Sequence, residues 1–145
     1  MLFSTGYVKR LPKKERPSGK PPYEILKKAE KEEIVLYTTL INIMEIRFVL
    51  RRKKKWKELE IEEVIRDLGK IDNFGIIIPE ETDLITGFNF QASHMLDPFD
   101  AIYLSVVDRI SNFLVSRDRD FINIANKIKG KLTAFTPESF LETIK

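Results

Sequence analysis

The sequence predicts an α/β protein, a three-layer α/β/α sandwich with a central parallel sheet. Short apolar runs alternate with segments of helical periodicity, and strands separated by helices are typical of a parallel sheet covered on both faces. The chain has 145 residues, of which 43% are hydrophobic and 32% are charged, which is enough for one domain with a sizeable core. We therefore expect residues 1–145 to form a single domain.

Composition excludes several kinds of protein. With no cysteine, the chain can have no disulfide framework, thiolate metal site or thiol nucleophile. His94 is the only histidine, so a zinc site built from several histidines is also excluded. The longest mostly apolar segment, residues 40–50, is too short to cross a membrane, and no N-terminal run resembles a signal peptide. We expect a cytoplasmic protein with no membrane partner.

Local patterns predict the elements in order. Thr38 or Thr39 can cap a helix that begins at residue 40, and Asp97 and Thr136 can cap later helices. Pro98 and Pro137, which directly follow the last two caps, suit the first position of a helix. The apolar spacing predicts helices at 23–32, 40–53, 58–68, 81–95, 98–110, 121–127 and from 137, with strands at 34–37, 75–78, 113–115 and 132–135.

The helix at 40–53 is apolar nearly all round and is therefore expected to be largely buried. Glu45 lies inside it, with Ile41, Met44 and Phe48 as neighbours on the near face. A buried carboxylate needs a partner, a proton or a metal, because an unpaired buried charge is costly. The alternative is that Glu45 follows the rim of the helix to a lysine elsewhere.

Acidic residues frame the strand at 113–115. Asp100 lies in the first turn of the preceding helix, and Asp118 and Asp120 follow the strand's carboxyl end, where ligands collect in open α/β sheets. If the fold brings these acids together, their mutual repulsion favours a bound cation. Two alternative roles for these acids stay open. Asp100 can interact with the helix dipole while Asp118 and Asp120 lie in a solvated turn, or all of them can form salt bridges with the many lysines and arginines.

Three segments together resemble the PIN-domain family, which includes the VapC toxins of toxin–antitoxin systems. The segment YTTLINIMEIRFVLRRK (37–53) is similar to the family's second strand, Thr/Ser turn and Glu-bearing helix. The segment LDPFDAIYLSVVDRISNFLVSRDRDF (96–121) resembles its Asp-Ala helix and acidic strand end, and LTAFTPESF (132–140) resembles its last strand and helix. The resemblance implies an endoribonuclease that uses Mg²⁺ or Mn²⁺.

The resemblance also implies roles for particular residues. The family's catalytic acids correspond to Glu45, Asp100 and Asp118. Its metal ligands correspond to the same three residues together with Asp120. Ser116 and Thr39 are expected to support the site. In the family these acids hold a metal that activates water for cleavage of an RNA phosphodiester, which suits hard cations with oxygen ligands. Members usually form homodimers, and toxin members bind a small antitoxin, so RNA, a second copy and an antitoxin are the expected partners.

One departure concerns the family's first strand, which ends in an Asp that binds the metal. Here the segment MLFSTG (1–6) resembles that motif with Ser4 in the Asp position. Alternatively, the start codon is set too late and residues 2–11 form the helix after a missing strand. Either alignment leaves the chain as written without one carboxylate, so weaker metal affinity is expected. The alternative function is a catalytically impaired PIN-like module that binds RNA or protein.

Positive charge is concentrated in two blocks, residues 9–20 and residues 51–57, although the net charge is only +3. Such blocks can bind phosphates, and our candidates for RNA contact are Lys13, Lys14, Arg16, Arg51, Arg52 and Lys54. The second block also suits a helix C-terminus, where cations interact favourably with the macrodipole.

Overall fold

The computed structural model describes residues 21–128, 130 and 132–144, with only the backbone described at 21–23. Along the chain the elements are α1 (Pro21–Glu30), β1 (Leu36–Thr39), α2 (Leu40–Arg52), α3 (Glu58–Gly69), β2 (Phe74–Ile77), α4 (Glu81–Ser93), α5 (Pro98–Ile110), β3 (Phe113–Val115), α6 (Arg119–Lys127), β4 (Thr133–Phe135) and α7 (Pro137–Thr143). The helices and strands follow one another in the order that the sequence predicts, and the α/β class is confirmed.

The strands of the described residues form two pairs. β1 is hydrogen-bonded to β2, and β3 to β4. β3 and β4 are parallel, with Leu114 opposite Ala134, and α6 is the connection between them. Asn126 of α6 extends this pair, because its side chain donates to the Ala134 carbonyl (3.1 Å) and accepts from the Ala134 N–H (2.8 Å). The chain divides into two compact units between residues 76 and 77.

In the unit that ends at residue 76, α1, β1, α2 and α3 supply most of the buried apolar side chains. These are Ile25, Leu26, Ala29, Leu36, Ile43, Ile46, Leu50, Ile61, Val64, Leu68 and Ile71. Ile61, Val64 and Leu68 of α3 are three and four residues apart, so their spacing predicts that they lie on the same, buried side of the helix. A bidentate ion pair also joins α2 to α3, with Arg47 Nε and Nη2 at 3.0 and 3.1 Å from the Glu58 carboxylate oxygens.

The expected burial of α2 on nearly all sides is wrong. Its buried residues are Asn42, Ile43, Ile46 and Leu50, which form one side of the helix. Leu40, Met44 and Phe48, which lie four residues apart, are 40%, 63% and 57% exposed. Apolar composition shows that a face can be buried, but the neighbouring elements decide whether it is. Glu45 is half-buried.

Several other expectations need correction. The first predicted strand is displaced from 34–37 to Leu36–Thr39, so both threonines lie within it, and α6 begins at Arg119 rather than Phe121. Four apolar side chains that belong to the apolar spacing used to predict these elements, and so were expected to face the core, are exposed instead: Leu59, Ile78, Phe99 and Phe113. All four lie at or beside the end of an element, where the periodic pattern continues but the packing partners do not.

In the unit from residue 77 onward, α5 is the central helix. Its seven consecutive residues Ala101–Val107 are all buried, so the helix is covered around its circumference. Its core cluster is Tyr103, Leu104, Val107, Leu114, Phe121, Ile122, Ala125, Leu132 and Ala134. The rings of Tyr103 and Phe121 are 5.9 Å apart, so α5 and α6 meet directly through this pair.

α4 crosses α5 at close range because Gly87 has no side chain. A Cβ on Gly87 would lie 3.0 Å from the Ile102 Cα and 3.1 Å from the Ile102 nitrogen. Both contacts are with backbone, so neither can be relieved by a side-chain rotation. Gly87 is therefore the residue that allows this helix pair to pack.

Replacing Gly87 with Ala is expected to destabilise the fold. Ala usually stabilises a helix by about 1 kcal/mol relative to Gly, but overpacking against backbone costs about 1–3 kcal/mol. We expect a net loss and a lower melting temperature. Gly69→Ala is the matched control, because no atom lies within 4 Å of a Cβ there, and it should be neutral or stabilising. Equal melting temperatures for the two variants would contradict the close approach.

The N-terminus of α4 is joined to the C-terminus of α5 by an ion pair whose carboxylate is buried and whose guanidinium is partly exposed. The Asp83 side chain is 2% exposed, and Arg109 Nε and Nη2 donate to its two oxygens at 2.9 and 2.7 Å. Asp83 Oδ2 also accepts the Glu80 N–H at 2.8 Å. Hydrogen bonding from Arg109 is the main reason that the pKa of Asp83 is below its ordinary value, although burial opposes the shift.

Candidate functional site

Asp118 is held in place at the carboxyl end of β3. Ser116, which is completely buried, follows the strand, and its N–H donates to the Phe135 carbonyl of β4 at 2.9 Å. The Ser116 hydroxyl accepts the Asp118 N–H at 3.1 Å. Asp118 Oδ1 accepts the Phe121 N–H, also at 3.1 Å, and so caps α6. This Ser–Asp turn fixes an exposed carboxylate at the sheet edge where α/β proteins bind ligands.

Two further acids lie in the first turns of the helices on either side of β3. Asp120 is exposed in the first turn of α6. Asp100 is half-buried in the first turn of α5, and its N–H donates to the Asp97 side chain at 2.9 Å. Asp97 is thus the cap of α5, as predicted, and Pro98 occupies the first turn. Both acids are stabilised by the positive ends of helix dipoles.

A buried polar cluster precedes Glu45. Thr39 caps α2, because its hydroxyl accepts the Asn42 N–H at 3.2 Å, and Asn42 Nδ2 donates to the Thr38 hydroxyl at 3.3 Å. All three side chains are 1% exposed. Thr38 and Asn42 were not among the predicted site residues. Two threonines followed three residues later by an amide are a signal that could have identified them.

The donor chemistry of these residues suits Mg²⁺ or Mn²⁺. Carboxylates are the oxygen ligands that such cations prefer, and the capping bond of Asp118 occupies one of about four lone-pair positions on its carboxylate. Within each unit, however, the described residues include no group of three or more His, Asp or Glu side chains placed to hold a metal. Asp100, Asp118 and Asp120 therefore do not form such a group by themselves. Their role as ligands, with Glu45, stays a prediction.

The predicted RNA contacts have different environments. Arg51 is engaged within the fold, since Nη1 donates to the Trp56 carbonyl at 2.9 Å and Nε lies 3.5 Å from Glu58. Arg52 lies over the Phe48 ring, with Cζ 5.8 Å from the ring centroid, and Lys54 is exposed. The remaining candidates lie outside the described residues: Lys13, Lys14 and Arg16, together with Ser4 of the first-strand motif.

No helix in the described part of the chain is long and apolar enough to span a membrane.

The chain thus combines an α/β fold, a Ser–Asp turn after a parallel strand and acids in the first turns of the adjacent helices. The family model for the PIN domain matches residues 18–127, which is most of the chain. The chain therefore belongs to the PIN domain family, whose members are generally metal-dependent nucleases. The matched region includes Glu45, Asp100, Asp118 and Asp120, whereas Ser4 precedes it. A comparison with curated proteins gives no match.

Proposed function

We propose that the protein is an Mg²⁺- or Mn²⁺-dependent endoribonuclease of the cytoplasm. The observation that carries the proposal is the Ser116–Asp118 turn at the end of β3, in a chain that belongs to the PIN domain family. The carboxylates of Glu45, Asp100 and Asp118, with Asp120, are its proposed metal ligands. When bound, such a metal activates water and offsets the charge that develops at phosphorus.

The chain's own residues position these acids. Ser116 fixes the backbone of Asp118 by accepting its N–H, and the capping bond to Phe121 sets the direction of its side chain. On α2, the Thr39 cap and its bond to Asn42 fix the start of the helix that carries Glu45. Rigid local supports of this kind reduce the reorganisation needed when a cation binds.

Cleavage of RNA is the direct test. We expect the full chain to cut an internally labelled single-stranded RNA in Mn²⁺ or Mg²⁺, to lose this activity in EDTA, and to recover it when Mn²⁺ is restored. Asp100→Asn removes a ligand charge and should reduce cleavage about 100-fold or more. Cleavage that persists in EDTA, or that is equal in Asp100→Asn, would contradict the proposal.

The second candidate is a PIN-like module that binds RNA or protein without cutting. It is favoured by the proposed alignment of residues 1–6 with the family's first-strand motif, in which Ser4 takes the position of the Asp. A serine hydroxyl cannot replace that negative charge. This candidate predicts RNA binding by gel shift with no cleavage in any divalent metal. Ser4→Asp distinguishes the candidates, because it should raise Mn²⁺ affinity and cleavage if the rest of the site is competent.

A toxin role, homodimerisation and an antitoxin partner belong to the same proposal and rest on the resemblance to VapC toxins. Growth arrest on expression of the wild-type chain, but not of Asp100→Asn, would support a toxic ribonuclease. The mass of the purified chain by light scattering tests the dimer.

A further inference from the structure

The second half of α2 exposes an aromatic ring next to positive charge. Phe48 is 57% exposed, and the Arg52 guanidinium lies over its ring at 5.8 Å from the centroid. Met44, one turn earlier, is 63% exposed. A guanidinium above a phenyl ring is a cation–π pair that holds the ring and the charge in a fixed relation.

Three lysines follow directly at the end of this helix. Lys53, Lys54 and Lys55 are all exposed. The N–H groups of Lys53 and Lys54 both donate to the Val49 carbonyl, at 2.9 and 3.1 Å, and Lys55 has a left-handed φ of 58°. The backbone of this turn is therefore defined, and it carries three consecutive exposed lysines.

The neighbouring arginines behave differently from these lysines. Arg47 and Arg51 both pair with Glu58. In the part of the chain that the structure describes, no ion pair joins an acid to any of the three lysines, Lys53, Lys54 and Lys55. Among the described residues, therefore, no acid competes with an anionic ligand for these three charges.

We infer that this surface binds single-stranded RNA. We call it the α2 platform, and it consists of Phe48, Arg52, Lys53, Lys54 and Lys55. The three lysines contact backbone phosphates, and an unpaired base stacks on Phe48 beside the Arg52 guanidinium. Cationic grooves with exposed aromatic rings bind single strands in this way, because every base has a face that can stack. The inference rests on the proposed function, since it specifies the form of RNA that the site receives.

Charge and geometry favour this ligand over a folded protein or a duplex. Several consecutive exposed lysines favour a polyanion, because each can contact a separate phosphate. The phosphates of a duplex can contact the lysines, but its bases are stacked on one another and so cannot stack on the Phe48 ring. Phe48 and Arg52 lie three and seven residues after Glu45 on the same side of α2. A strand that follows this side of the helix reaches the proposed metal ligand.

The test is RNA binding by fluorescence anisotropy, measured in EDTA so that no cleavage occurs. The probes are a labelled unstructured RNA of mixed sequence and its duplex form. Phe48→Ala is expected to weaken single-strand binding about tenfold and duplex binding less than about twofold. Phe48→Leu keeps the apolar bulk without the π-face and should weaken single-strand binding similarly. Phe88→Ala is the matched control, since Phe88 is 54% exposed in the other unit.

Charge is tested by Lys53→Gln with Lys54→Gln in one chain, against Arg66→Gln as control. Two lost phosphate contacts should reduce the slope of log K against log salt by about 1.4 for a single strand. If Phe48→Ala and Phe88→Ala bind RNA equally, or if the slope is unchanged, the inference is overturned and the ring has another role, such as protein contact.

This test is independent of catalysis. Binding that depends on Phe48 in EDTA, in a protein that never cleaves RNA, would support the platform and count against the ribonuclease. Metal-dependent cleavage that is unchanged in Phe48→Ala and in the lysine variant would support the ribonuclease and count against the α2 platform.

Discussion

Asp83→Asn is expected to lower the free energy of unfolding by about 3 kcal/mol, because it leaves the Arg109 guanidinium without its charged partner and places an uncharged amide against it at the buried Asp83 position. The substitution keeps the size of the side chain but removes the charge that accepts two hydrogen bonds from the guanidinium. The value is at the lower end for buried pairs, since the Arg109 side chain is 35% exposed and keeps Glu80 at 3.6 Å. Urea unfolding followed by circular dichroism measures the loss.

The same pair predicts a pH dependence. The pKa of Asp83 is lowered in the folded protein from an ordinary value of 3.8. Its stabilising contribution is therefore fully present above the unfolded pKa and is lost as pH falls through the lower folded pKa. Wild-type stability should fall below about pH 4 more steeply than that of Asp83→Asn. Parallel curves for the two proteins would contradict an ionised Asp83 in the fold.

Glu138→Gln is the control for this experiment. Glu138 pairs with Arg117 at 3.2 Å, but both side chains are about half exposed, at 52% and 50%. Exposed pairs contribute roughly 0–1 kcal/mol, so this variant should unfold close to the wild type. A loss as large as that of Asp83→Asn would show that burial is not the source of the effect.

Asp118→Asn is expected to reduce RNA cleavage about 100-fold or more while leaving the fold nearly unchanged. Asn caps helices about as well as Asp, so the bond from the Phe121 N–H to this side chain can be kept. The charge that a divalent cation needs is lost. Cleavage rate in Mn²⁺ and melting temperature, measured on the same preparation, separate the two roles.

Two variants complete that experiment. Asp118→Ala should lose both cleavage and about 1 kcal/mol of stability, because the cap is removed as well. Asp97→Asn is the matched control: it also caps a helix and keeps its bond to the Asp100 N–H, but it is not a proposed ligand. Equal cleavage by Asp118→Asn and Asp97→Asn would contradict a ligand role for Asp118.

Local chemistry made much of the fold predictable. Three helix caps depend only on a hydrogen bond to a residue three positions later, so the sequence alone indicates them: Thr39, Asp97 and Thr136. A proline follows each of the last two caps and marks the same helix start. The strand at 113–115 was predicted with its observed limits because it is short and apolar and lies between two polar turns.

Features that depend on distant neighbours were not predictable. Asp83 and Arg109 are 26 residues apart in sequence, and nothing near either residue indicates the other. The exposed stripe of Met44 and Phe48 has the same helical periodicity as a buried one, so the pattern predicted burial on a side of α2 that is exposed. The proposed ligand roles of Glu45 and Asp100 rest on the family resemblance, since acids in first turns or half-buried positions have other uses.

The measurement that tests the central claim most directly is a calorimetric titration of the full chain with Mn²⁺, with Asp100→Asn and Asp97→Asn alongside. The proposed site predicts saturable binding to the wild type and to Asp97→Asn, and binding weakened at least about tenfold in Asp100→Asn. An absence of Mn²⁺ binding to the wild type, or equal affinity in Asp100→Asn, would contradict a metal centre built on these acids.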